Sequence, residues 1–63
     1  MADVSAKTFV AFDAMGTSAA VKAIYRVVDT DGFTHSLRIA KSVHDSENDT
    51  NITNALETEL DAL

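Results

Sequence analysis

The sequence predicts an α+β fold: a small antiparallel β-hairpin or three-stranded meander followed by one C-terminal amphipathic helix, all in a single small domain covering residues 1–63. Three features carry this reading. Asp31-Gly32 lies between two runs rich in β-branched and aromatic residues, Ile52, Ala55, Leu56, Leu60 and Leu63 recur at helical spacing, and Thr8-Phe9-Val10-Ala11-Phe12 is a further β-prone stretch.

Residues 8–12 are expected to form a third strand, because a two-stranded ribbon alone is marginal in water. A helix competes here. Val4, Thr8, Phe12 and Met15 also lie on one helical stripe that Gly16 could close, whereas the strand reading makes Ala14-Met15-Gly16-Thr17-Ser18 a loop.

Residues 20–28 and 33–42 form the expected hairpin, closed by Thr30-Asp31-Gly32 with Gly32 left-handed, as a three-residue loop with a bulge requires. That closure fixes the register. Asp29 faces Phe33, Val27 faces His35, Tyr25 faces Leu37, Ala23 faces Ile39 and Val21 faces Lys41, all on one largely apolar side. The other side pairs Val28 with Thr34, Arg26 with Ser36, Ile24 with Arg38 and Lys22 with Ala40. It is mixed rather than polar, so a second contact surface is expected there. Val21, Ile24, Tyr25 and Val28 also fit a helix capped at Thr17 or Ser18, but Ile24-Tyr25-Arg26-Val27-Val28 favours extended chain, and the Asp-Gly turn needs a strand on each side.

Residues 43–50 read as an acidic connector and residues 51–63 as the helix, with Asn51, Thr53 or Asn54 as its N-cap. An Asn54 cap would place Glu57 where a capping box needs it. Glu59 and Asp61 lie at the helix end whose dipole prefers cations, so a basic surface should meet them.

A chain of 63 residues buries only about 60% of the surface its unfolded form exposes, so its core must be thin. With no Cys, neither a disulfide nor a thiolate metal site can staple it. Because 46% of its residues are apolar and only 6% aromatic, self-association is the expected source of the missing buried area.

The net charge of −5 argues against a nucleic-acid binder, which needs a clustered basic face to release counterions. No apolar run approaches the length that spans a bilayer, and the first residues lack a secretory pattern, so synthesis in the cytoplasm without a membrane partner is the expectation. The sequons at Asn48 and Asn51 are then chance matches. Charge is also uneven along the chain. Asp45, Glu47, Asp49, Glu57, Glu59 and Asp61 occupy a stretch without Lys or Arg, whereas Lys22, Arg26, Arg38 and Lys41 crowd the middle. Pairing of the two regions, within a chain or between neighbours, is expected.

No pattern supports catalysis, a cofactor or a metal site. From Asp45 oxygen ligands alternate as in the first half of a calcium loop, yet Thr50 stands where that loop needs Gly and Leu56 where it needs a bidentate Glu. His35 and His44 lack the spacing of a zinc pair. Ser18 follows Gly16, but Ala20 breaks a nucleophile elbow, and two glycines cannot build a phosphate loop. Glu57 and Asp61, one helical turn apart, read as surface charge.

Strand, Asp31-Gly32 turn, strand, polar connector and short helix, over Ile24 to Leu63, form a layout that resembles several families of tiny bacterial and phage-encoded proteins of unknown function. The expected role is a non-enzymatic structural or interaction protein of a multi-copy assembly, with a virion accessory or decoration protein as its concrete form. The alternative is an acidic inhibitory module that masks a basic partner protein through Asp45 to Asp61. Ile24, Arg26, Val28, Arg38, Ile52, Leu56, Leu60 and Leu63 are the expected partner-interface residues, and Asp31 and Gly32 the turn.

Overall fold

A computed structural model describes residues 3–13 and 21–63. Strands β1 (Val4–Asp13), β2 (Lys22–Asp29) and β3 (Thr34–Ala40) form one antiparallel sheet in the order β1-β2-β3, followed by helices α1 (Lys41–Asp45) and α2 (Asp49–Asp61). The molecule is a three-stranded meander with its helices on one face.

The β2–β3 register is the one that the turn dictates, with Val27 opposite His35, Tyr25 opposite Leu37 and Ala23 opposite Ile39. Asp29 closes the loop. Its N–H donates to the Phe33 carbonyl at 2.9 Å, its carbonyl accepts from Gly32 N–H at 3.0 Å, and its Oδ1 accepts from Asp31 N–H and Phe33 N–H, each at 2.9 Å. Gly32 has φ +90°, where an L side chain is strained, and an added Cβ would meet nothing within 4 Å. Gly32→Ala should therefore cost only the backbone strain, about 1–2 kcal/mol, seen as a lower denaturation midpoint at unchanged slope.

On the inner face of the sheet, Ala23, Tyr25, Val27, Leu37 and Ile39 pack against Ile52, Leu56 and Leu60 of α2. Val4, Val43 and Ala55 border this core. Period-two alternation in the strands and the i, i+4, i+8 stripe of the helix thus bury each other.

Several boundaries differ from the sequence reading. The first strand extends well beyond residues 8–12, and β2 runs over Lys22–Asp29 rather than 20–28. The third strand stops at Ala40 instead of 42, so Val21 and Lys41 do not pair. Residues 41–45 turn into α1, tied by a Lys41–Asp45 ion pair and by Val43 against the core. The connector over 43–50 is therefore largely helical. Helix α2 begins at Asp49, capped by Asn48 rather than by Asn51, Thr53 or Asn54, because Asn48 Oδ1 accepts from Asn51 N–H at 3.1 Å. Glu57 consequently lies mid-helix and accepts from Val4 N–H at 3.2 Å, which ties α2 to β1. The expected loop over 14–18, the Gly16 helix end, and the Thr17, Ser18 and Ala20 readings lie outside the described residues.

Candidate functional site, the outer sheet face

Alternation that buries Ala23, Tyr25 and Val27 turns Lys22, Ile24, Arg26 and Val28 to the outer face. No described helix covers it. The register brings Thr34, Ser36, Arg38 and Ala40 of β3 alongside on one flank and Ala6, Thr8, Ala11 and Asp13 of β1 on the other. These flanking side chains are mostly small, and Ile24 and Val28 remain only half-buried at the centre.

Charge surrounds that apolar centre. Arg38 Nε lies 3.3 Å from Asp13 Oδ2, across β2. Among the described residues, Lys22 and Arg26 have no ion-pair partner. The face is therefore apolar in the middle and net positive around it.

Carboxylates gather on the helical side, and half of the acidic stretch is already engaged. Asp45 pairs with Lys41, Asp49 Oδ1 lies 2.5 Å from Lys7 Nζ, and Glu57 holds the start of β1. Glu59 and Asp61 are exposed near the end of α2, whose last turn contains no base. Leu63 beside them is 78% exposed.

The expected interface residues thus divide into two groups. Ile24, Arg26, Val28 and Arg38 share the outer face, and Leu63 is exposed at the far end of the helical layer. Ile52, Leu56 and Leu60 are buried in the chain's own core, since their stripe is what covers the inner sheet. Asp31 and Gly32 form the turn, as expected.

A third feature escaped the sequence reading. Phe9 and Phe12, three residues apart, would point to opposite faces of a regular strand, but the register shift between Phe9 and Ala11 turns both inward, with ring centroids 5.1 Å apart. His44 of α1 stacks on Phe9 at 4.4 Å and meets Tyr25 edge-on. Burial pushes the Tyr25 phenol above its ordinary value, against a smaller opposing effect of Lys7, and its hydroxyl shares a hydrogen bond with His44 Nδ1 at 2.5 Å. Lys41 Nζ lies 5.4 Å from the Phe12 ring centre. Phe9 and Phe12 remain 39% and 45% exposed at this corner.

Asp29 and His35 make up the other polar cluster. His35 Nε2 lies 2.8 Å from Asp29 Oδ2, and that contact, followed by the backbone donors of Phe33 and Asp31, holds the Asp29 carboxyl below its ordinary value despite burial. These groups close a turn. Among the described residues there is no cavity and no convergent set of three His, Cys, Asp or Glu.

No protein family, curated protein or solved structure matches this chain. Its functional reading therefore rests on its own surfaces.

Proposed function

We propose that the chain is a non-enzymatic structural protein of a multi-copy assembly, in which its outer sheet face is buried against a protein neighbour. One observation carries this reading: half-buried Ile24 and Val28 sit at the centre of a face that no described element covers, ringed by Lys22, Arg26 and Arg38. A thin core gains buried area from such a contact. A virion lattice, which offers one seat many times over, is the setting we favour for a small accessory or decoration protein.

The inhibitory alternative needs a free acidic strip. Three of its six carboxylates, Asp45, Asp49 and Glu57, are engaged within the chain, which favours the assembly reading.

Sedimentation or light scattering on the chain, from about 10 µM to about 1 mM, tests the proposal. The mass should rise with concentration in steps of the 6.7 kDa protomer. A monomer across the whole range would sink the reading.

A further inference from the structure

Topology separates two patches whose charges are opposite. Because Lys22 and Arg26 alternate with core residues that face α2, they point away from the helices, and Arg38 shares their side. Glu59 and Asp61 lie on the helical side. The two patches cannot meet within one copy, and the base that does reach α2 is Lys7, through Asp49.

Each patch has an apolar centre with charge around it. On the sheet these are Ile24 and Val28 among bases, and at the end of α2 Leu63 beside Glu59 and Asp61. Neither patch complements itself. A two-fold contact through the sheet faces would set Arg26 and Lys22 of one copy against those of the other, and a contact through the helix ends would oppose carboxylates.

We infer that the occupant of the outer sheet face is a second copy of this chain, docked by the C-terminal turn of its α2, so that copies associate head to tail. Leu63 of one copy covers Ile24 and Val28 of the next, while Glu59 and Asp61 face Lys22 and Arg26. This contact also brings cations to a helix end whose exposed carbonyls favour them. Such an interface is heterologous, so it leaves a free patch at each end and continues into a ring or an open filament. The inference rests on the multi-copy reading and specifies its geometry.

Charge exchange between two full-length variants tests it. In one, Lys22→Glu and Arg26→Glu make both patches acidic; in the other, Glu59→Lys and Asp61→Lys make both basic. All four positions are exposed and outside the core, and circular dichroism should show each variant folded like the parent. Each alone should associate at least about tenfold more weakly than the parent, and an equimolar mixture should recover species larger than a dimer. Parent association should also weaken as salt rises from about 50 to about 500 mM. If the second variant alone still forms dimers as tightly as the parent, or if the mixture recovers nothing, the head-to-tail geometry fails while the multi-copy reading stands. A parent that stays monomeric throughout overturns both. If either variant is unfolded, Lys22→Gln with Arg26→Gln replaces the first and Glu59→Gln with Asp61→Gln the second. Each should then weaken association, and no weakening from either would overturn the geometry.

Discussion

Replacing Leu56 by Ala should unfold a large fraction of the molecule near its ordinary melting temperature. Leu56 is fully buried, at 0% exposure, where α2 meets β2 and β3. Truncating such a leucine costs about 2–5 kcal/mol, from lost transfer energy and from the cavity left behind. A domain of this length has about 3–9 kcal/mol in total. The loss is a large share of that stability, and it should lower the melting temperature by roughly 10–30 °C. Leu63→Ala removes the same atoms at an exposed site and, in dilute solution, should change stability by no more than about 0.5 kcal/mol. Both melts need one low protein concentration, because self-association would raise the apparent stability of every variant that retains it. Equal effects of the two substitutions would mean that α2 does not cover the sheet.

That contrast also shows what the sequence made legible. The Asp-Gly turn fixes the hairpin register, and with side chains alternating along each strand, one register decides which residues face the helix. The turn alone therefore places Ile24, Arg26, Val28 and Arg38 on one surface. The stripe Ile52, Leu56 and Leu60 announces burial but not what buries it, and the sheet of the same chain supplies the cover. Only Leu63, beyond the last buried turn, remains exposed.

Two elements were hidden for physical reasons. Helix α1 has five residues, too few for a helix to form on local preference, and it exists because Val43 and His44 find tertiary partners. The aromatic corner depends on an irregularity at Val10 that rotates Phe12 to the side of Phe9. Regular pleating would set two rings three residues apart on opposite faces, so period-two alternation alone does not bring them together.

Acid should destabilise the fold through Asp29 specifically. Its carboxylate accepts from His35 and from the N–H groups of Asp31 and Phe33, and these contacts hold its folded-state pKa below the ordinary value of 3.8. A depressed carboxylate stabilises the folded state fully above its unfolded value, and that contribution disappears as pH falls through the lower folded value. The window is therefore below pH 3.8. Asp29→Ala, which orphans both N–H groups of the turn, should be among the most damaging substitutions outside the core at neutral pH. Asp29→Asn retains an acceptor oxygen and should be milder, yet it cannot lose a proton. Its deficit relative to the parent should shrink as the pH is lowered below 3.8, as the parent carboxyl takes up its proton. Melting temperatures of the two proteins across that range would measure this, and a deficit that stayed constant down to the lowest pH would show that the charge on Asp29 does not hold the turn.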